Sequence, residues 1–410
     1  MNVLLLGAGA VGEAYTVLTH RADPDRQWME KLVVADFNRD RAREVADRLG
    51  DTQRYPSEGI DANDRDQIAA IVRQYSIDLI INGCPQNFDE PIFDAAFQAG
   101  CHYLDMAMTL SAKHPTEPYR QVGVLLGDYQ FARHTDWEAR GLLGLVGMGI
   151  DPGVSEVFAR FAEKHLFDQI DEIGVRDGSN MAVEGNPYAT QFSTWSVIEE
   201  CLNPPVFWEK ERGYYTTEPM SHPEVFDFPE GIGPLEVVSI EHEEVINLPR
   251  WINKGLKKVT FKISLGRELM AALRILNQLG LASAEPISVK GVQVIPREVV
   301  EACMPDPAQI GPRMRGKICV GTWLSGRKDG REREVYIYQV ADNETCMGQF
   351  RCQAVAVQTA VGPAIATELL ARGIWQKAGV LPPEAFDPEP FLERMAAYGF
   401  PYGMRDSWQK

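Results

Sequence analysis

The amino-terminal stretch constrains the fold of this chain more than any other. The apolar run 3–6 leads directly into Gly7-Ala8-Gly9-Ala10-Val11-Gly12, and a helical pattern follows. An apolar run without polar alternation predicts a strand buried on both faces of a parallel sheet. The glycine spacing predicts a tight turn at Gly7, room for a pyrophosphate at Gly9 and close helix packing at Gly12. The helix start at Ala10 and Val11 would then direct unpaired N–H groups at the phosphates.

A carboxylate follows the next apolar run at a distance that suits a dinucleotide site. Lys31 to Ala35 reads as a second strand and ends at Asp36, 24 positions beyond Gly12. A carboxylate near this spacing binds the ribose hydroxyls of an adenosine. The alternative is an ordinary βαβ unit with a solvated Asp36. The context of strand, glycine loop and helix favours dinucleotide binding.

Length and charge limit the class of protein further. A chain of 410 residues with 45% hydrophobic residues predicts two or three globular domains. The net charge of −17 argues against a nucleic-acid partner, because phosphate contacts need clustered Lys and Arg. An acidic surface suits a cationic substrate, although solubility explains it equally well.

The cysteines and the apolar segments predict a cytoplasmic location. Seven scattered Cys without a Cys-x-x-Cys pair fit reduced thiols, and the dispersed His residues indicate no metal site. No basic leader precedes the first strand, so we expect no signal peptide. The least charged segment, 354–371, contains Gln358, Thr359 and Glu368 and reads as a buried helix, so we expect no membrane partner.

Apolar runs and helical patterns alternate through the first part of the chain. Further strands are predicted at 77–82 and 101–105, with helices at 38–49, 67–75 and 91–99 between the strands. This order predicts an α/β fold, a Rossmann-type doubly wound parallel sheet with right-handed crossovers.

Ligands in such sheets lie beyond the carboxyl ends of the strands. Gly83, Cys84 and Pro85 follow one predicted strand, and Asp105 and Met106 end another, so a nicotinamide ring and its substrate would meet there. Cys84 would contact the ring or be a small core residue, and its residue type favours the core. The polar turn that starts at Asp61 would lie beside the adenine or cap the next helix.

The pattern changes along the rest of the chain. Residues 110–140 read as helical and polar, and 141–149 as a buried strand. Beyond residue 168 the strands alternate clearly, which predicts a mixed sheet in an α+β second domain. We predict a dinucleotide-binding domain at 1–150 and an α+β substrate-binding and dimerisation domain at 151–350. Residues 351–410 would form a helical return that packs on the first domain.

Distinctive blocks are spread over nearly the whole chain. They are the glycine loop, Gly83-Cys84-Pro85, Tyr103-Leu104-Asp105, Gly147-Met148-Gly149-Ile150-Asp151-Pro152-Gly153, Met304-Pro305-Asp306-Pro307, Gly311-Pro312-Arg313, Gly316-Lys317, 353–363 and 386–391. Together these blocks resemble the saccharopine dehydrogenase family, and most of all its carboxynorspermidine (carboxyspermidine) dehydrogenase branch.

The resemblance implies a homodimeric pyridine-nucleotide enzyme that reduces an imine or oxidises a secondary amine. Its substrate would be a small amine, an amino-acid–polyamine conjugate. Members of this branch often carry an Arg after the second strand, which suits NADP, whereas this chain has Asp36 there. A carboxylate would repel a 2′-phosphate, so we expect NAD to be preferred, with Arg39 close enough to permit NADP. The reaction direction stays open.

The resemblance also suggests roles for individual residues. Asp151 is the first candidate for the proton-handling carboxylate, although it could equally cap a helix that starts at Pro152. Asp105 is the second candidate, unless it only holds its loop. The segment 186–196, with Ser193 and Trp195, would face the substrate or form a polar loop before a helix. Arg313 and Lys317 would bind a substrate carboxylate, which needs a cation.

Two other functions stay open at this point. Saccharopine or lysine dehydrogenases of amino-acid metabolism share the same motifs. A dinucleotide-binding protein without turnover would keep the fold, but neither the glycine loop nor the Asp-Pro-Gly corner is lost here.

Overall fold

The apolar runs of the first part form one parallel sheet in the computed structural model, which describes residues 1–408. Elements are numbered in chain order. The strand order across this sheet is β19 (Gly379–Leu381), β6 (Leu143–Leu145), β5 (His102–Asp105), β4 (Leu79–Asn82), β1 (Asn2–Leu6), β2 (Lys31–Asp36) and β3 (Ser57–Gly59). The connecting helices are α1 (Ala10–Ala22), α2 (Arg39–Asp47), α3 (Arg65–Tyr75) and α4 (Asp89–Ala99). The Rossmann-type prediction is therefore confirmed, with the strand order reversing at β1.

The expectation of a helical segment at 110–140 is wrong. Only two short helices form, α5 (Asp128–Phe131) and α6 (His134–Ala139), and residues 106–127 contain no helix. Pro115 and Pro118 interrupt a helix because they lack the N–H donor, and glycines at 123 and 127 lower helix propensity further. The segment is instead held by a bridge between Ala112 and Val124.

A second, mixed sheet follows, as the alternating strands predict. One parallel pair, β13 with β7, lies among antiparallel neighbours. Its strands are β7 (Gln169–Ser179), β9 (Val206–Glu209), β10 (Gly213–Thr216), β11 (Ser221–Phe228), β12 (Gly233–Ser239), β13 (Lys258–Ile263), β17 (Lys317–Lys328), β18 (Arg331–Asp342) and β20 (Tyr402–Asp406). Two small pairs join β8 (Ala182–Val183) to β16 (Met314–Arg315) and β14 (Ile287–Val289) to β15 (Val292–Val294).

Helices cover this sheet and connect it to the first. They are α7 (Val154–His165), α8 (Thr194–Leu202), α9 (Glu244–Trp251), α10 (Arg267–Gln278), α11 (Pro296–Cys303), α12 (Asn343–Phe350), α13 (Ala354–Ala371) and α14 (Pro388–Ala397). Among residues 1–408, α13 is the one helix long and apolar enough to span a membrane, and 83% of it is buried inside the protein. It is a core helix of this fold.

The carboxyl-terminal segment contributes to both sheets. The α13 helix packs against α1, where the hydroxyls of Tyr15 and Thr367 form a buried hydrogen bond of 3.0 Å. The β19 strand extends the first sheet beside β6, whereas β20 extends the second sheet beside β18. This segment is therefore more than a helical return on the first domain, because it joins the two sheets.

Candidate active site

A cavity of 960 Å³ lies where the carboxyl ends of the first-sheet strands face the second domain. One wall carries the residues that end or follow β1, β2, β4 and β5. The opposite wall is formed by the end of β7, residues 189–193, α8, His242, residues 263–265 and α11. Ligands of doubly wound sheets bind at this edge, as the topology predicts.

The glycine loop has the three properties that its spacing predicts. Gly7 has a φ of +98°, and a Cβ there would lie 2.6 Å from the carbonyl oxygen of Gly83. A Cβ on Gly12 would lie 2.0 Å from the carbonyl oxygen of Gly7, so the helix touches the loop at this point. Gly9 lines the cavity and has no atom within 4 Å of a built Cβ. This open space, next to the start of α1 with Ala10 and Val11, fits a pyrophosphate.

Two glycine substitutions separate binding from folding. We expect Gly9→Ala to fold normally, because its Cβ enters open space, and to weaken dinucleotide binding about tenfold by filling the phosphate position. We expect Gly12→Ala to lower the thermal unfolding temperature, because its Cβ overlaps the Gly7 carbonyl. Cofactor titration and thermal melts on both variants check this. Equal cofactor affinity of Gly9→Ala and wild type would contradict the assignment.

Asp36 is held in place at the end of β2. Its Oδ2 accepts a hydrogen bond of 2.7 Å from the N–H of Ala8, and its Oδ1 accepts one of 2.8 Å from the N–H of Asn38. The neighbouring Phe37 also lines the cavity and is 84% exposed, so its ring is free to stack on an adenine. Arg39 is exposed and does not line the cavity. The carboxylate of Asp36, and not the guanidinium of Arg39, is therefore the charged group in the cavity wall at this point.

The turn after β3 combines both roles considered for it. Asp64 caps α3 and accepts hydrogen bonds from the N–H groups of Asp66 and Gln67. Asp61 and Asn63 line the cavity, and Asp61 Oδ1 accepts a hydrogen bond of 2.9 Å from the N–H of Asn63. The capping residue is thus Asp64, whereas Asp61 faces the cavity.

The ends of β4 and β5 form the floor of the cavity beside the glycine loop, with Gly83, Cys84, Pro85 and Met106 in its lining. Burial is the largest cause of the raised pKa of the Cys84 thiol, and the charges of nearby carboxylates add to it, so the thiol stays protonated. This fits a neutral wall residue.

Asp105 uses both carboxyl oxygens to fix its surroundings. Its Oδ1 accepts a hydrogen bond of 2.6 Å from the N–H of Gly147, and its Oδ2 accepts one of 2.6 Å from Gln130 Nε2. Burial raises its pKa to about 7, and these hydrogen bonds oppose the shift. The contacts favour the loop-holding role for Asp105.

Asp151 does not cap α7, so the capping interpretation is wrong. The helix begins at Val154 with Gly153 in the cap position, and Gly153 has a φ of +128° that L side chains rarely adopt. Asp151 instead faces the cavity. Burial and the nearby carboxylate of Asp177 raise its pKa well above the ordinary value, whereas His242 opposes the shift.

The structure brings only one of the four predicted substrate residues to the cavity. Ser193 lines it, caps α8 and contacts Glu301 Oε1 through its hydroxyl at 3.2 Å. Trp195 lies outside the lining, where its ring packs on the guanidinium of Arg297 at 4.7 Å. Arg313 is exposed, and the Lys317 ammonium contacts the Glu230 carbonyl, so neither reaches the cavity.

The cavity wall is rich in acidic side chains. Across the described part of the chain, no Lys or Arg lines the cavity. Seven aspartate and three glutamate side chains do: Asp36, Asp61, Asp89, Asp105, Asp151, Asp177, Asp306, Glu200, Glu298 and Glu301. Burial raises the pKa of Asp177 to about 7 and that of Glu200 to about 8. Such a wall favours a ligand with several positive charges.

His242 is the site residue that sequence reasoning missed. It lines the cavity, stacks on Phe261 at 3.7 Å and bonds through Nδ1 to Glu244 Oε2 at 2.6 Å. Glu243 completes this buried group, in which one side-chain atom from each of the three residues lies within 4.8 Å of the others. Burial disfavours the imidazolium, but the carboxylates of Glu244, Glu243 and Asp151 outweigh it and raise the pKa of His242 well above its ordinary value. The available signal was the run 241–244, Glu-His-Glu-Glu, shortly after β12.

A glycine loop on a parallel sheet, a carboxylate at the end of β2 and a cavity opposite it define a class, the nicotinamide-dinucleotide-dependent oxidoreductases. The chain belongs to the saccharopine dehydrogenase family. Residues 3–145 match the saccharopine dehydrogenase NADP binding domain, and residues 149–400 match the saccharopine dehydrogenase C-terminal domain.

The chain is similar over nearly its whole length to two enzymes of named activity. It is 31% identical to a carboxynorspermidine synthase of Vibrio alginolyticus, over 99% of this chain and 97% of that one. It is 27% identical to a carboxyaminopropylagmatine dehydrogenase of Synechocystis, over 98% and 96%. Among solved structures, apo saccharopine dehydrogenase (L-Glu forming) from Saccharomyces cerevisiae covers 99% of both chains with a TM-score of 0.69 and 15% identity, which confirms the fold. The chain is an NAD(P)-dependent dehydrogenase.

Proposed function

We propose that this dehydrogenase reduces the imine formed between an aldehyde and one amino group of a polyamine, or oxidises the resulting secondary amine. The product would be a conjugate of the carboxynorspermidine or carboxyspermidine type. The observation that carries this proposal is the cavity wall, which has ten carboxyl groups and neither Lys nor Arg among the described residues. The names of the Vibrio and Synechocystis relatives support the same substrate class.

The residues present fit a bound dinucleotide, and different groups of the cavity wall would hold its separate parts. The cofactor, when bound, supplies or accepts the hydride. The open space at Gly9 and the start of α1 would hold the pyrophosphate, and Asp36 would bind the ribose hydroxyls. The backbone at Gly83 to Pro85 would support the ring. Asp151 would hold the substrate nitrogen and stabilise the positive charge of the iminium beside it.

The alternative substrates of the family fit the wall less well. Saccharopine carries three carboxylates, and those groups would meet acidic side chains here without a Lys or Arg among the described residues to bind them. A protein that only binds the dinucleotide has no need for Asp151 and His242 inside the cavity. The polyamine reading explains both features.

A substrate panel tests the proposal. Purified protein is assayed with NADH and NADPH, using aspartate β-semialdehyde with 1,3-diaminopropane or putrescine, and separately with saccharopine or lysine and the oxidised cofactors. Turnover with a diamine pair and none with saccharopine or lysine is expected. Turnover with saccharopine alone would select the alternative, and cofactor binding without any turnover would favour a binding protein.

The second domain would form the interface of a homodimer. Large apolar side chains are exposed in residues 275–299, which we term the 275–299 region: Ile275, Leu279, Leu281, Ile287, Val289, Val292 and Val299. Exposed apolar groups concentrated in this way are typical of protein interfaces.

Charge placed in this region should therefore separate the subunits. We expect wild-type protein to elute at twice the chain mass and Leu279→Glu with Val292→Glu at the chain mass, measured by light scattering. Val225→Glu, a 72% exposed position on β11, is the matched control and should stay dimeric. A dimeric double variant would place the interface elsewhere.

A cytoplasmic location is the remaining part of the proposal. All seven cysteines are free thiols, and five of them are buried. Unpaired thiols throughout a chain are typical of a reducing compartment.

A further inference from the structure

One hydrogen bond and one ring stack fix the orientation of His242 in the cavity wall. Glu244 is fully buried, and its Oε2 lies 2.6 Å from Nδ1 of His242 while its Oε1 accepts a hydrogen bond of 3.0 Å from the Ser155 hydroxyl. Phe261 lies parallel to the imidazole, with ring centroids 3.7 Å apart. Within residues 1–408, Nε2 has no hydrogen-bond partner, and the ring lines the cavity. Nδ1 is therefore used for orientation, and Nε2 is left for a ligand.

Carboxyl groups surround this imidazole from several elements. Asp151 follows β6, Asp177 lies on β7 and Glu200 lies on α8, and each interacts electrostatically with His242. Glu243, next in the chain, adds a further negative charge and is fixed by the N–H of Met108 at 3.0 Å. These neighbours raise the pKa of His242 and so favour the imidazolium, the form that can donate its Nε2 proton.

We infer that His242 is the general acid that removes water from the carbinolamine, with Glu244 as its positioning residue. This inference rests on the proposed imine chemistry. The Nε2 proton moves to the hydroxyl oxygen, the C–O bond breaks with its electron pair on oxygen, and water leaves. The nitrogen lone pair forms the C=N bond of the iminium. The remaining neutral imidazole regains a proton from the next ammonium substrate, when that nitrogen adds to the aldehyde carbon.

Asp151 and His242 act on different atoms of the substrate. Asp151, a carboxyl group, suits the nitrogen, which carries positive charge in the iminium. His242, an imidazolium, suits the oxygen, which needs a proton to leave. Neither side chain can replace the other, because one must stabilise positive charge on the nitrogen and the other must donate a proton to the oxygen.

Kinetics in the reductive direction test the inference, with aspartate β-semialdehyde, 1,3-diaminopropane and NADH or NADPH as the probe. We expect His242→Asn to lower kcat about 100-fold, with the cofactor Kd unchanged. Added imidazole should partly restore the rate of His242→Ala. The matched control is His20→Asn, a half-buried histidine that contacts Tyr55 outside the cavity and should keep wild-type kcat.

The pH profile distinguishes positioning from a merely structural role. Wild-type kcat should fall as pH rises through the raised pKa of His242, because only the imidazolium donates a proton. Glu244→Gln should move this fall to lower pH, since the largest favourable charge is lost. If His242→Asn does not fold, the pH profiles of wild type and Glu244→Gln test the role of His242 instead. An unchanged kcat in His242→Asn, or an unchanged pH profile in Glu244→Gln, overturns this inference alone. Absence of wild-type turnover with every substrate pair in the panel overturns both the proposed function and this inference.

Discussion

Replacement of Asp151 by asparagine is expected to lower kcat about 1,000-fold and to leave the dinucleotide Kd within about twofold of wild type. Asparagine keeps the shape of the side chain but, unlike the carboxyl group of Asp151, cannot ionise when a positively charged nitrogen binds beside it. The change lies on the substrate side of the cavity, whereas the glycine loop and Asp36 stay intact. Steady-state assays with the diamine panel and cofactor titration measure the two quantities.

The control for this variant is Asp168→Asn. Asp168 is an exposed carboxylate in the second domain, paired with Lys328 at 2.9 Å and outside the cavity. Its replacement removes the same charge without touching the site, so kcat should change less than twofold. Near-normal rates in Asp151→Asn would show that another carboxyl group stabilises the nitrogen, and Asp177, which lines the same cavity, would be the first to consider.

Local sequence patterns determine the first sheet because its strands are buried on both faces. The runs ending at Leu6, Ala35 and Asn82 are apolar without alternation, and each forms a parallel strand. The role of Gly12 was also predictable, because its close approach is to Gly7 in the same loop, whereas Gly7 approaches Gly83 from a distant part of the chain. In the segment 110–140, polar composition suggested a helix, but proline and glycine decided the local structure.

The second-domain half of the cavity was harder to predict for a physical reason. His242 interacts with groups on β7, α8 and the turn before α7, so its role depends on elements far apart in the chain. Trp195 sits only two residues from Ser193, yet the first turn of α8 directs it to Arg297 rather than to the cavity. Residue type and position could not separate these outcomes, because a helix changes the direction of a side chain by about 100° per residue.

The charge at Asp36 leads to a second large effect, on the choice of dinucleotide. We expect wild type to prefer NAD, and Asp36→Ala to lower the ratio of kcat/KM for NAD to that for NADP about 100-fold. The variant loses a carboxylate that binds the ribose hydroxyls of NAD and repels the 2′-phosphate of NADP. A preference for NAD would contrast with the NADP binding domain that residues 3–145 match. Parallel kinetics with both cofactors measure the ratio.

The surrounding basic residues determine how far NADP use can rise in that variant. Arg41 contacts the Glu13 carboxylate and donates from Nε to the Ala8 carbonyl at 2.9 Å, so it is already engaged. Arg39 is exposed on the same helix, and Arg39→Ala in the Asp36→Ala background should reduce kcat/KM for NADP while that for NAD stays constant. Arg43→Ala is the matched control, since it removes a charge of the same sign from the same helix, 54% exposed and outside the cavity, and should leave the ratio unchanged. A wild type that prefers NADP would mean that the Arg39 charge outweighs the fixed carboxylate at the ribose.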